Sequence, residues 1–252
     1  MSKSHYVAGL RAVEQLIASG NAQFRKLYAE YQTANPRVEA VIAQANARGI
    51  EIQAANRARL QQISGESRHQ GVVAEIVRSS VLDEAGLRSL VEQHLTGDEP
   101  APLLLLILDG IQDPHNLGAC LRTADAAGVH VVVVPRHGAA RLGPTVSKVA
   151  AGAAESLPFA AVPNIGRVMG WLEEYGVTRV GTSDAAQQSV YDCDLARPLA
   201  LVMGREHSGL RKNIAERCDE LVNLPMLGAV SSLNVSVATG ICLFEALRQR
   251  RK

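Results

Sequence analysis

From residue 103 onward the chain repeats one pattern: a short apolar run, a turn, and a stretch of helical spacing. The runs fall at 103–109, 130–135, 157–162, 178–182, 199–204 and 220–224 and alternate little between apolar and polar, as strands buried on both faces of a parallel sheet must. Helical spacing occupies 117–127, 145–153, 165–175, 210–217 and 234–250. The pattern predicts a parallel-sheet α/β domain in which ligands gather beyond the C-terminal strand ends. No G-x-G-x-x-G follows the first run, which disfavours a nicotinamide-dinucleotide enzyme.

The first eighty residues read differently. Leu10, Val13, Leu16 and Ile17 form a helical stripe that Gly20 is expected to close, and Asn35-Pro36 opens a second helix ending at Gly49. Strand-like runs at 26–31, 50–54 and 71–77 alternate with them. Residues 83–95 have the spacing of an exposed helix, and Gly97-Asp-Glu-Pro-Ala-Pro102 reads as a hinge. The expected organisation is a small α/β domain over 1–80, an acidic helix and linker over 81–102, and the larger domain over 103–252.

Charge sharpens this division. The net charge of +1 hides ten basic against six acidic residues over 1–80 and one against five over 81–102. A basic front suits a polyanionic partner, although such an excess is also common on solvated surfaces. The nine aromatic residues among 252 are too few for extensive base stacking. There is no apolar span of about 18 residues and no secretory h-region after Met1, so a soluble, cytoplasmic protein is expected. Cys120, Cys193, Cys218 and Cys242 show neither C-x-x-C pairing nor a histidine at zinc spacing, and read as buried thiols with no metal site.

Three strand ends carry polar side chains. The first run leads into Asp109-Gly-Ile-Gln-Asp-Pro-His-Asn-Leu-Gly-Ala-Cys-Leu-Arg122, where Asn116 can cap a helix and Arg122 lies further along it. The fifth leads into Met203-Gly204-Arg-Glu206-His-Ser-Gly209. The sixth leads into Leu224-Pro-Met226 and then Ser231, Ser232, Leu233, Asn234 and Ser236, a turn able to cap a helix or to donate to a ligand. Polar groups at three such ends point to one shared site.

At these residues the chain resembles the SpoU, or TrmH-type, family of RNA 2'-O-ribose methyltransferases. All three family motifs stand in order: N-x-G-x-x-x-R from Asn116 to Arg122, V-M-G-x-E-x-x-G around Gly204, and L-P-M-x-x-x-x-S-S-L-N-V-S-V-A from Leu224. Gly9-Leu-Arg-Ala-Val13 and His69-Gln-Gly71 are similar to the family's N-terminal substrate-binding domain, related to ribosomal protein L30e. Within the family the likeness is strongest to bacterial enzymes that methylate a guanosine ribose of 23S rRNA, through Leu106-Ile-Leu-Asp-Gly110, Asp113–Arg122 and Ala124-Asp-Ala-Ala-Gly-Val-His130.

The resemblance implies a deep trefoil knot in the larger domain, which periodicity could not supply, since knots are rare enough that an unknotted sheet is the default. It implies S-adenosylmethionine as methyl donor, held around Gly204, Leu224, Met226 and Leu233, with RNA as substrate and a homodimer sharing each site. Arg122 is the candidate to meet charge on the attacking 2'-oxygen, as a permanently protonated guanidinium or, alternatively, as the general base. Asn116, Ser232 and Asn234 would position substrate and loops, and Glu206 would pin Arg122 or the cofactor loop through a charge-assisted bond. A tRNA ribose methyltransferase and a noncatalytic RNA-binding protein of the same fold are the competing readings.

Overall fold

The computed structural model of the protein describes residues 4–19, 22–30, 35–77, 81–97, 101–205 and 208–251. Gly20, part of the expected hinge (98–100), Glu206 and His207 lie outside the described residues. The chain divides into two compact units, one of residues 1–80 with 151–156 and one of 81–150 with 157–252.

In the first unit, β1 (Ser4–Ala8), α1 (Leu10–Ser19), β2 (Gln23–Glu30), α2 (Pro36–Ala47), β3 (Ile52–Ala55), α3 (Arg57–Ser64) and β4 (Val72–Val77) follow one another. The sheet order is β1-β4-β2-β3, antiparallel except for the β2–β3 pair. Alternation along β4 assigns its faces: Val72, Ala74 and Ile76 join the core under α1 and α2, while Val73 joins Leu60 of α3 and Tyr28 on the other side. β1 and α3 have no counterpart in the sequence reading. β1 shows little alternation, and α3 has the single buried residue Leu60, too little for a periodic signal.

The second unit holds α4 (Glu84–Thr96), β5 (Leu104–Leu108), α5 (Pro114–Ala126), β6 (Val131–Pro135), α6 (Pro144–Ala150), β7 (Phe159–Val162), α8 (Ile165–Glu174), β8 (Thr178–Thr182), β9 (Gln188–Ser189), β10 (Leu199–Met203), α9 (Lys212–Ala215), β11 (Glu220–Asn223) and α10 (Val235–Arg250). Its seven strands run in the order β7-β6-β5-β10-β8-β11-β9, all pairs parallel. Every residue of β5 and β10 is buried, which explains their uninterrupted apolar sequence. Leu105, Ile107, Ala200 and Val202 face the layer of α4, α8 and α9, and α5 and α10 pack together on the opposite side.

Two expectations change here. The helix expected to be exposed over 83–95 has a buried face: Leu87 and Val91 of α4 are fully buried in the second unit's core, and Leu82 pairs with β7 through Leu82 N to Phe159 O (2.9 Å) and Ala161 N to Leu82 O (2.9 Å). A fragment cut at residue 101 would lose part of that core. The helix expected over 145–153 is broken at Ala151 (φ +53°) and Gly152 (φ +101°), and the short α7 beyond it (Ala153–Ser156) belongs to the first unit.

The glycine of the first motif has a packing reason. A Cβ at Gly118 would stand 2.7 Å from Val149 Cβ and 3.0 Å from Val146 O, because α5 and α6 meet there backbone to side chain. Alanine in place of a helical glycine gains about 1 kcal/mol of propensity, but overpacking of such a contact costs roughly 1–3 kcal/mol. Gly118→Ala is therefore expected to destabilise the protein in urea denaturation. An unchanged or raised midpoint would contradict the close contact.

Candidate active site

The C-terminal ends of β8, β10 and β11 open into a cavity of about 570 Å3. Gly204 from the end of β10 and Leu224, Met226, Ser232 and Leu233 from beyond β11 all line it, so the second and third motifs meet as expected. Thr182, Ser183 and Asp184, just past β8, complete the wall. The sequence reading passed over them, although a polar Thr-Ser-Asp directly after an apolar strand was the available signal.

Local geometry explains why these residues stand there. After Gly204 the chain doubles back, with Arg205 N to Gly209 O and Gly209 N to Arg205 O both at 3.0 Å. Gly204 lies so close to the returning chain that a Cβ would be 2.2 Å from Gly209 C and 2.3 Å from Leu210 N. The far end of this turn is clamped by Asp109, which is fully buried at the end of β5. Its N–H donates to Met203 O (2.8 Å), and its carboxylate accepts from Arg211 N (3.3 Å) and from the Arg211 guanidinium, with Nε at 3.0 Å. That carboxylate holds the Arg211 guanidinium above its ordinary pKa. A buried charge of this kind persists only when paired and hydrogen-bonded, and the pairing with a residue 102 positions away left no trace in the sequence.

The first and third motifs touch directly. Asn234 Nδ2 donates to Asn116 Oδ1 at 3.1 Å. Asn234 is also the N-cap of α10, its Oδ1 accepting from Ser236 N (2.9 Å) and Ser236 Oγ (2.6 Å). Asn116 does not cap α5: Asp113 holds that position and accepts from His115 N at 3.0 Å. That backbone bond holds the Asp113 carboxyl below the usual carboxylate range. Asn116, one turn inside the helix, is left to face Asn234.

Arg122 stands apart from these groups. It is exposed on α5, its side chain forms no hydrogen bond or ion pair among the described residues, and it does not line the cavity of its own chain. Glu206 lies outside the described residues. The four cysteines are thiols outside any disulfide, and burial pushes those of Cys193, Cys218 and Cys242 up to about 12, far from a nucleophilic range.

Comparison with known proteins matches this geometry to a family. Residues 103–244 match the SpoU rRNA Methylase family, and residues 6–81 match the domain described as RNA 2'-O ribose methyltransferase substrate binding. The chain is 46% identical over 247 residues to the 23S rRNA (guanosine-2'-O-)-methyltransferase RlmB of Pectobacterium atrosepticum, covering 98% of this chain and 99% of that one. It is 45% identical to the Escherichia coli K12 protein of the same name, with the same coverage. Among solved structures it is similar to the SpoU methyltransferase AviRb from Streptomyces viridochromogenes in complex with AdoMet (27% identity, TM-score 0.72, 98% of this chain and 90% of that one). It is likewise similar to an AdoMet-bound rRNA methyltransferase from Sinorhizobium meliloti (29%, TM-score 0.70, 97% and 87%). With both units matched and the three motifs gathered at the strand ends, the chain belongs to the SpoU family of rRNA methylases.

Proposed function

We propose that the chain transfers the methyl group of S-adenosylmethionine to the ribose 2'-hydroxyl of a guanosine in 23S rRNA. The observation that carries this reading is the cavity at three parallel strand ends, lined by the second and third motifs, in a chain alike over nearly its whole length to RlmB proteins. Its volume falls in the range of small-molecule sites, and Leu224, Met226 and Leu233 offer adenine an apolar slot edged by backbone donors and acceptors.

Bound there, S-adenosylmethionine supplies an electrophilic methyl on a sulfonium. The chain supplies position and charge. Loss of the hydroxyl proton to solvent water would leave negative charge on the ribose oxygen as it takes the methyl, with S-adenosylhomocysteine as the leaving group. Arg122, protonated as guanidiniums are in proteins, meets that charge and an adjacent phosphate. Asn116 and Asn234, bonded to each other, hold the first and third motifs in register, and Ser232 directs the ribose. Glu206 is assigned to pin Arg122 or the cofactor loop.

The position of Arg122 outside its own chain's cavity supports a homodimer in which one protomer's Arg122 serves its partner's cofactor. Val237 and Phe244, seven residues apart on one stripe of α10, are 50% and 48% exposed, and Leu227 in the third motif is fully exposed. The packing of α10 beside α5, away from the strand it follows, supports the trefoil knot, and the basic first unit supports an L30e-like role in RNA selection. No described helix is long and apolar enough to cross a membrane, in keeping with cytoplasmic action on rRNA.

Mixing tests the shared site. Arg122→Ala and Leu224→Trp protomers, each inactive alone, are expected after subunit exchange to recover about a quarter of wild-type turnover, since half the dimers are mixed and each carries one intact site. Leu224 is the position to damage, because Gly204 has no room for any side chain. Verified heterodimers without activity would confine each site to one chain. Transfer of labelled methyl to naked 23S rRNA, with none to tRNA, tests the substrate.

A further inference from the structure

A second cavity, of about 600 Å3, lies in the same unit among α4, α8 and the residues around α9. It is as large as the cavity at the strand ends, and methyl transfer makes no use of it. α9 separates the two: Leu210 and Ala215 line the first, Asn213 and Arg217 the second.

The groove is furnished with donors. Arg88, Arg167, Arg217, Asn164, Asn213 and Trp171 line it. Arg167 is held by Glu84 through two bonds, at 2.7 and 2.6 Å. Arg88 donates to Glu92 (3.3 Å) and to the Tyr175 hydroxyl (2.8 Å), with its guanidinium 5.9 Å from the centre of the Trp171 ring. The Arg217 guanidinium forms no hydrogen bond or ion pair among the described residues, although, after Arg179, its charge helps to hold the exposed Glu173 carboxyl low. It crosses α8 where Gly166 and Gly170 present no side chain, and a Cβ on Gly166 would stand 3.1 Å from its Nε. The wall's carboxylates are Glu84, already engaged, and Glu174. Trp171 is 7% exposed, and its indole Nε1 is buried with no acceptor among the described residues. A buried donor left in that state is destabilising and calls for an acceptor.

We propose that this groove binds a phosphodiester of the RNA substrate's backbone, away from the reacting ribose. The disengaged Arg217, the asparagine amides and the first turn of α8 all favour an anion rich in acceptors. Contacts of this kind set register and affinity rather than sequence preference. The proposal rests on the reading of RNA as substrate.

Trp171 is the chain's only tryptophan, so intrinsic fluorescence reports from the groove itself. Titration of the full-length protein with a methylatable fragment of 23S rRNA is expected to change that fluorescence. Arg217→Glu is expected to weaken RNA binding roughly tenfold, and to lower the slope of log affinity against log salt by about one. KM for RNA should rise while kcat and S-adenosylmethionine affinity stay unchanged. Asn213→Asp, at another exposed position, should act in the same direction. A folded Arg217→Glu protein with wild-type RNA affinity and salt slope would overturn the proposal. So would a Trp171 response to inorganic phosphate but not to RNA, which would leave an adventitious anion only. Equal KM in variant and wild type would remove the groove and leave the methyltransferase reading intact, whereas RNA-dependent fluorescence without methylation would do the reverse.

Discussion

Replacing Arg122 with alanine is expected to lower methyl transfer to RNA by at least about 10²–10³-fold, the usual loss when one group stabilising a developing oxyanion is removed, while S-adenosylmethionine binds as before. The two effects separate because Arg122 is exposed on α5 and takes no part in the cavity formed by Gly204, Leu224, Met226 and Leu233. Single-turnover methylation and calorimetric titration with the cofactor read the two quantities independently. Wild-type turnover in Arg122→Ala would remove the residue from the mechanism. Joint loss of turnover and cofactor binding would place it in the fold instead.

The second large effect is expected at Gly204. Its backbone meets that of Gly209 and Leu210 at distances where a methyl group has no room, a Cβ falling 2.2 and 2.3 Å from main-chain atoms. No rotamer relieves a clash with backbone, so Gly204→Ala must open the turn between β10 and α9, and with it one wall of the cavity. Overpacking on this scale exceeds the 1–3 kcal/mol typical of side-chain crowding. We expect cofactor affinity to fall on the order of 100-fold, at about 1.4 kcal/mol for each factor of ten, together with a lower thermal midpoint. An alanine variant with unaltered affinity and midpoint would show that the turn is looser than its geometry indicates.

How far the sequence carried these conclusions differs from residue to residue. β5, β6 and β10 were legible to within a residue or two because central parallel strands are apolar on both faces, and a continuous run cannot belong to a solvated loop. The gathering of Gly204, Leu224, Met226 and Leu233 was legible because strand-end residues of a parallel sheet converge. Contacts between distant positions were not. Asp109 looked like the polar end of a strand, and only its pairing with Arg211 shows that it clamps the turn after β10. Arg179 sits within β8, 4% exposed, and is satisfied by Asp219, Glu173 and Met169 O. Arg179 thereby holds both carboxyls below the usual range, an arrangement that an apolar-run argument cannot anticipate. Asn116 stood as a possible cap of α5 because both Asp113 and Asn116 are good capping residues, and Pro114 at the first helical position decides for Asp113.

The most direct test is a map of ribose 2'-O-methylation across total rRNA and tRNA, at nucleotide resolution, from cells with and without this chain. The account predicts that one guanosine of 23S rRNA loses its methyl group when the chain is absent and regains it when the wild-type chain is restored, but not when Arg122→Ala is supplied. Unchanged methylation throughout 23S rRNA, with a tRNA ribose losing its methyl instead, would contradict it.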